Sequence, residues 1–443
     1  MKRFLKKNSW RSVAALWVAT LYFTQGLPNA VVDLVAPVAM KDLGFGNALI
    51  TFIAAWAYLP WVLKALWSPL VDSVGKKRGW IVKTQLACAA LFAVLAAVFA
   101  AGTSVPAGAL LAALAAVAVV SATHDIAADG FYMLALDSGR QAFFSGWRST
   151  FFRLSQIFAK GAIIAGAGVF IAKEIAAGAA PELAAATAWN RIFIGVAVLT
   201  GALAVVHALI LPAPPSDVPA GTPTQSLAVD FFDTWKTFFT KERIGFLLLF
   251  LLFFRFGEVQ LSVVSPLFFK DEIAAGGLAL DNRAFGLLNG TFGVAAMLAG
   301  GILGGVAVSR NGLRAWLLPM IFFLNVPDLL YVAFAHWQPA GNLPLIGAGI
   351  VVEQFGYGFG FTGYMLFMLW ACAGTRRAVA HYAICTGFMA LGVMLPKLWA
   401  GALQEIFGYE IFFLWALACT VPGFWLAAAA RKIIPAEFGK KTD

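Results

Sequence analysis

Residues 67–80, WSPLVDSVGKKRGW, separate two apolar segments of membrane-spanning length. Asp72 precedes a turn residue, Gly75, and three consecutive cations follow at Lys76, Lys77 and Arg78. Cations in short loops between spanning helices concentrate on the cytoplasmic side of a membrane. The stretch therefore predicts a tight cytoplasmic loop between two transmembrane helices.

The composition extends this prediction to the whole chain. Of its 443 residues, 61% are hydrophobic and 12% are charged, with a mean hydropathy of +0.82. One soluble core could not bury so much apolar surface, and a spanning helix needs roughly 20 apolar residues. We predict an all-α membrane protein with twelve transmembrane helices. The twelve apolar segments lie near 10–36, 48–71, 79–102, 106–136, 148–172, 190–211, 244–269, 284–309, 313–335, 343–372, 379–405 and 409–430.

The net charge of +10 is distributed asymmetrically along these segments. Of the 32 Lys and Arg residues, 22 fall on the side of the 67–80 loop, 5 fall on the other side and 5 lie inside apolar segments. This asymmetry predicts that both termini are cytoplasmic. The basic charge thus sets orientation, and we expect no nucleic-acid partner.

One long polar interruption divides the chain. Residues 212–243 contain five prolines and then an amphipathic aromatic stretch, which is typical of a linker with a segment at the membrane surface. We predict an N-terminal six-helix half at 1–211, a cytoplasmic linker at 212–243 and a C-terminal six-helix half at 244–443. A weak echo of 72–80 at 309–316 agrees with an internal duplication.

The sequence contains no motif typical of an enzyme. It has no nucleotide-binding glycine loop, zinc cluster or nucleophile triad, and its four cysteines lack paired spacing. We therefore predict no metal, no cofactor and no enzymatic activity. A membrane-embedded enzyme or receptor is the rival class, and conversion of a ligand rather than its movement would indicate it.

The fourth apolar segment carries two carboxylates, Asp125 and Asp129, one helical turn apart. Repulsion between them favours a proton on one, which suits proton exchange. The alternative is that they pair with Arg153 or Lys160 and lock two helices together. His124, directly before Asp125, is more typical of a packing residue.

Charged residues also interrupt the seventh and tenth segments. Arg255 and Glu258 lie near mid-membrane and either pair along their own helix or serve a site. Glu353 needs a partner or a proton at its depth. Tyr357, one turn further on, either packs or stacks on a sugar ring.

The first two segments contain polar residues beside apolar ones. Gln25 and Asn29 flank Gly-Leu-Pro at 26–28, which predicts a kink that frees backbone carbonyls beside protein or a cavity. Lys64 either extends to the cytoplasmic surface or offers its charge to an anionic ligand.

The loop at 67–80 resembles the loop between the second and third helices of major facilitator transporters, where an Asp and basic residues form an ion-pair latch against a neighbouring helix. More narrowly, the chain resembles AmpG-like muropeptide permeases and the wider group that includes acetyl-CoA transporters and some siderophore importers. Two residues differ from the group's pattern, since His124 replaces Gln and Glu258 replaces Asp. The matching stretches are 25–28, 64–72, 77–80, 125–129, 153–154, 257–258, 289–293 and 353–360.

The resemblance implies two six-helix halves of major facilitator type that rock about a midplane site. It also implies proton-driven import of GlcNAc-anhydromuramyl peptides across the bacterial inner membrane for wall recycling. The best-known members of the group also carry two extra C-terminal helices, and shorter relatives carry other cargo. An importer of a siderophore or another small polar metabolite is therefore the alternative. We expect a monomer in the lipid bilayer that takes a small anionic or sugar-peptide substrate and is driven by the proton gradient.

The candidate residues fall into three groups. The predicted proton-coupling residues are Asp125, Asp129, Glu258 and Glu353. The predicted substrate-binding residues are Gln25, Asn29, Lys64, Arg153, Arg255 and Tyr357. The predicted structural loop residues are Asp72, Gly75, Lys77 and Arg78.

Overall fold

The structure, a computed structural model, describes residues 2–136, 138–218, 225–372 and 378–440. Every regular element in this part of the chain is a helix, which confirms the all-α prediction. Side chains are described in these ranges except at 2–12, 65, 69, 72, 73, 103, 138–143, 145–147, 149, 225–231, 378–380 and 383.

The first six spanning helices are α1 to α6. An amphipathic helix, Gln225–Phe239, follows them in the linker. Their ranges are α1 (Lys2–Ala30), α2 (Asn47–Leu63), α3 (Lys77–Ala100), α4 (Ala107–Ala135), α5 (Ser138–Ile157, continued by Phe158–Ile163 and Ile164–Ala176) and α6 (Pro181–Ile210).

The remaining six helices are α7 to α12. Asp281 accepts a hydrogen bond from the Ala284 backbone N–H and so caps the start of α8, whereas Gly408, with φ at 75°, separates α11 from α12. The ranges are α7 (Ile244–Lys270), α8 (Asn282–Asn311), α9 (Leu313–Trp337), α10 (Leu343–Cys372), α11 (378–407) and α12 (409–433).

Length and composition identify most of these helices as membrane-spanning. Among the described residues, 8 helical stretches meet both criteria, and the last of them, the 50 residues of Ile384–Ile433, includes α12 and most of α11. α10 is 30 residues long and carries one charged residue, Glu353. The described helices therefore agree with the predicted twelve.

In the C-terminal half, α7 and α9 are interrupted next to an ionisable residue. In α7 the helix stops after Phe253 and resumes at Phe256, because Arg255 has φ −110° and ψ 11°. In α9 a 3₁₀ turn, Val326–Asp328, joins two helical pieces. Pro327 lies in this turn and cannot donate a backbone hydrogen bond, which accounts for the break.

The chain divides into two compact units. The first comprises Met1–Gly44 and Ala57–Thr224, and the second comprises Phe45–Trp56 and Gln225–Asp443. In the first unit α3 packs along α4 and α6, and in the second α10 packs against α8 and α9. The predicted boundaries at 211 and 244 remain a proposal.

Candidate functional site

In the first unit, three segments bring polar side chains to Asp125. The Lys64 ammonium lies 3.3 Å from Asp125 Oδ2, and Gln25 hydrogen-bonds to the same carboxylate. Gln25 comes from α1, Lys64 from the 3₁₀ turn after α2, and Asp125 from α4. The structure thus joins three of the predicted site residues at one carboxylate.

Asp129 has different partners. Tyr22 donates to Asp129 Oδ1 at 3.0 Å and Arg148 Nη2 donates to the same oxygen at 2.6 Å. The Arg148 guanidinium also lies 4.7 Å from the ring centre of Tyr22 and 4.5 Å from that of Tyr132. Asp129 is therefore fixed by a cation held between two aromatic rings.

These pairs differ from the alternatives that the sequence offered for the two carboxylates. Lys64 and Arg148 take the places suggested for Arg153 and Lys160. Arg153 is partly exposed on α5, and Asn29 is partly exposed on α1. Sequence reasoning missed Arg148. A cation near the end of a spanning helix is normally attributed to the excess of Lys and Arg on the cytoplasmic side.

His124 belongs to a buried chain of hydrogen bonds across four helices. His124 Nε2 lies 2.9 Å from Gln85 Nε2, Gln85 Oε1 lies 2.9 Å from His207 Nδ1, and His207 Nε2 lies 2.9 Å from Thr20 Oγ1. Gln85 and both histidines are buried. These bonds join α1, α3, α4 and α6 through the residue that precedes Asp125.

In the second unit, the break in α7 positions an ion pair. Arg255 Nε donates to Glu258 Oε2 at 3.0 Å, and Arg255 Nη2 donates to the Tyr357 hydroxyl at 3.1 Å. The guanidinium lies 5.3 Å from the Tyr357 ring centre and 4.8 Å from that of Phe361. The same-helix pairing that the sequence allowed is present, and Tyr357 joins it.

Glu353 of α10 is buried and accepts two hydrogen bonds on Oε2. Tyr331 donates at 3.1 Å and Gln354 Nε2 donates at 2.8 Å. A further carboxyl, Asp328, is buried in α9, and neither of its oxygens has a donor among the described residues. Sequence reasoning missed Asp328, although an Asp after Pro327 in an apolar segment is the signal that identifies it.

The 67–80 loop is held by its basic residues. Gly75 has φ at 74°, as the predicted turn requires. Arg78 Nε donates to the Leu211 carbonyl at 3.2 Å, and Lys77 Nζ donates to the Val71 carbonyl at 2.8 Å. The side chain of Asp72 lies outside the described residues.

Asp217 of the linker caps the start of α3. Its carboxylate accepts backbone N–H bonds from Lys77 at 2.7 Å and Arg78 at 3.0 Å. Unpaired N–H groups at a helix start favour such an acceptor. The linker is thereby attached to the loop that the sequence singled out.

Both units therefore place ionisable groups inside spanning helices. Such groups are expensive in a bilayer and mark pathways for ions or substrates. The first unit pairs Lys64 with Asp125 and Arg148 with Asp129, and the second pairs Arg255 with Glu258 beside the further acids Glu353 and Asp328. Groups of this kind can exchange protons and bind a polar, charged solute.

Comparison with known proteins identifies the class. The family model described as Major Facilitator Superfamily matches residues 18–395. The chain belongs to this superfamily and is a membrane transporter for a small-molecule substrate.

Two relatives align along most of their length. The chain is 25% identical over 441 residues to Anhydromuropeptide permease of Escherichia coli (strain K12), covering 96% of this chain and 80% of that protein. It is 24% identical over 425 residues to Putative transporter AmpG 4 of Rickettsia felis, covering 93% and 95%. The resemblance to AmpG-like permeases is thus confirmed.

Solved structures share the fold. The crystal structure of D-xylose-proton symporter has a TM-score of 0.66 at 14% identity and covers 98% of this chain and 100% of that one. The crystal structure of nucleoside transporter NupG has a TM-score of 0.61 at 15% identity and covers 95% and 99%. At these identities the likeness concerns the fold alone.

Proposed function

We propose that this protein imports GlcNAc-anhydromuramyl peptides across the bacterial inner membrane, driven by the proton gradient. The observation that carries the proposal is the similarity to Anhydromuropeptide permease over 96% of the chain. The protein would act as a monomer with both termini in the cytoplasm. It would have no cofactor other than the gradient.

The paired side chains suit such a cargo. A muropeptide offers carboxylates to cations and sugar rings to aromatic faces. Lys64 is the more accessible partner of its ion pair in the first unit, and Arg255 lies against the rings of Tyr357 and Phe361 in the second. Gln25, Asn29 and Arg153 would complete the polar contacts in the first unit.

Proton coupling is assigned to the carboxyl groups on these helices. Protonation of Asp125 would neutralise it and release the Lys64 ammonium for an anionic substrate. Loss of the proton would restore the 3.3 Å pair and expel the substrate's negative charge. The other proton-coupling candidates are Asp129, Glu258 and Glu353.

Uptake by proteoliposomes that contain the purified protein tests both parts of the proposal. Radiolabelled GlcNAc-anhydromuramyl tripeptide should accumulate inside when the outside is acidic, and should not accumulate in protein-free liposomes. Asp125→Asn and Glu353→Gln should abolish the accumulation. Gradient-driven uptake that survives in both variants would refute the coupling assignment.

A panel of candidate ligands tests which cargo the protein binds. Thermal unfolding should shift upward with the tripeptide, because a ligand that binds only the native state stabilises it. A shift with ferric siderophores and none with the tripeptide would indicate the alternative cargo. Product formation without transport would indicate an enzyme.

A further inference from the structure

Asp328 is a buried carboxyl group that none of the assignments above uses. It is 1% exposed, and neither Oδ1 nor Oδ2 has a hydrogen-bond partner among the described residues. An ionised carboxylate in a dry interior without a donor carries so large a desolvation cost that it takes up a proton instead. The surroundings of Asp328 therefore favour the neutral acid.

The local backbone does not supply the missing donor. Asp328 ends the 3₁₀ turn Val326–Asp328 and stands at the N-cap of the Leu329–Trp337 helix, yet its side chain makes no capping bond. One turn earlier, Asn325 is also buried, and its Oδ1 has no donor among the described residues. Two residues with unpartnered acceptor oxygens thus lie within one turn of the chain at the break in α9.

Helix α10 packs tightly on this break. A Cβ atom at Gly356 would lie 2.1 Å from the Phe323 carbonyl oxygen and 3.0 Å from Pro327 Cγ. Only glycine permits this approach, which brings Glu353 close enough to interact electrostatically with Asp328. Glu258 of α7 interacts with Asp328 in the same way.

The acids near Asp328 differ from it in the donors that surround them. Glu258 is paired with Arg255, and Glu353 accepts hydrogen bonds from Tyr331 and Gln354. Both of these acids have donors that stabilise a carboxylate. Asp328 has none among the described residues and lies near two other acids, so a proton shared among the three is held best at Asp328.

We propose that Asp328 is a proton-carrying residue of the C-terminal unit. The acid carries its proton as long as the break in α9 stays dry. When water reaches the break in α9, the O–H bond breaks, the proton passes to water, and the carboxylate that remains is solvated. Protonation from water reverses the step. This role rests on the proton-coupled transport proposed above, whereas the protonation of Asp328 itself does not.

Infrared spectroscopy of the purified protein tests the protonation without any cargo. With ¹³C-labelled aspartate, the carbonyl stretch of protonated aspartic acid should be visible at neutral pH and should lose intensity in Asp328→Asn. Glu182→Gln, a change at an exposed acid in the first turn of α6, should leave it unchanged. An unaltered band in Asp328→Asn would overturn the proposal, and so would loss of the wild-type band when Na⁺ is added, which would indicate a cation site.

Proteoliposome uptake tests the role in coupling, with radiolabelled GlcNAc-anhydromuramyl tripeptide as the probe. One pH unit supports about tenfold accumulation per coupled proton. In Asp328→Asn the ratio of inside to outside concentration should fall to about one, because equilibration without coupling cannot concentrate a solute. Exchange of tripeptide across the membrane should persist, and Glu182→Gln should accumulate it like the wild type.

The outcomes separate the two proposals. If the wild type does not move the tripeptide, the proposed cargo fails while the infrared result on Asp328 stands. If the wild type accumulates the tripeptide and Asp328→Asn does so equally, the transporter assignment stands and the role of Asp328 is refuted. Loss of exchange in Asp328→Asn would also refute it, because a residue needed only for coupling is not needed for exchange.

Discussion

The Lys64 ammonium and the Asp125 carboxylate lie 3.3 Å apart, and the two side chains differ in access, at 39% exposed for Lys64 and 12% for Asp125. Lys64 is therefore the more accessible partner of the pair. The carboxylate side is enclosed and also bound by Gln25. Such an arrangement makes the pair the first target for mutation.

Lys64→Met and Asp125→Asn should each destabilise the protein more than the double variant does. Removing one partner leaves the other charge enclosed, at a cost on the order of 2 kcal/mol, which is below the value for fully buried pairs because Lys64 is partly exposed. Thermal unfolding in detergent measures the three variants. Additive shifts would show that the pair does not couple.

Tyr357→Phe and Tyr357→Ala should separate two contacts of Arg255. The Phe variant loses the hydroxyl that accepts a hydrogen bond from Arg255, which should lower the free energy of unfolding by about 1 kcal/mol. It keeps the ring beneath the guanidinium. The Ala variant loses both the hydroxyl and the ring, and its free energy of unfolding should be lower by about 1 kcal/mol more. The measurement is the unfolding midpoint, and equal shifts in the two variants would contradict a role for the ring.

Asp217→Ala should lower the unfolding midpoint by removing the cap of α3. The expected cost is about 1 kcal/mol, because Lys77 and Arg78 lose the acceptor of their backbone N–H groups. Asp217→Asn keeps one acceptor and should recover part of the loss. Lys76→Ala, at an exposed cation beside the cap, serves as the control and should have no effect.

Gly300→Ala and Gly358→Ala should destabilise the contact of α8 with α10. A Cβ at Gly300 would lie 2.1 Å from the Phe355 carbonyl oxygen, and one at Gly358 would meet the Met297 carbonyl oxygen. Overpacking of this kind costs about 1–3 kcal/mol. The measurement is again the unfolding midpoint in detergent.

Gly305→Ala is the matched control for this contact. It lies in the same glycine-rich segment of α8, but a Cβ there meets nothing within 4 Å. Alanine in a helix is favoured over glycine by about 0.5–1 kcal/mol, so this variant should unfold at the same or a higher temperature. A loss of stability equal to that of Gly300→Ala would contradict the packing argument.

The sequence predicted the spanning helices closely where apolar runs end abruptly. The predicted segments 244–269 and 343–372 correspond to α7 at Ile244–Lys270 and α10 at Leu343–Cys372. For the sixth helix the sequence predicts 190–211, whereas α6 begins at Pro181. Its first turns are rich in alanine, which favours a helix without marking a membrane boundary.

The sequence identifies which ionisable residues are candidates for the site, but it identifies few of the side chains that they contact. Intramembrane Asp125, Arg255 and Glu353 stand out because charge is rare in apolar segments. The Arg255–Glu258 pair follows from spacing along one helix. Tyr22, Arg148 and Asp217 become partners only through contacts between segments that are distant in sequence.

The sequence by itself determined an all-helical membrane protein with twelve spanning segments and ionisable residues within them, because lipid imposes both a helix length and a cost on charge that composition alone reveals. Only the tertiary structure decided that Lys64 pairs with Asp125, that Arg148 pairs with Asp129 and that Asp328 lacks a donor among the described residues. Those relations depend on which helix faces meet. Side-chain packing between helices determines these pairs, and no local sequence pattern specifies that packing.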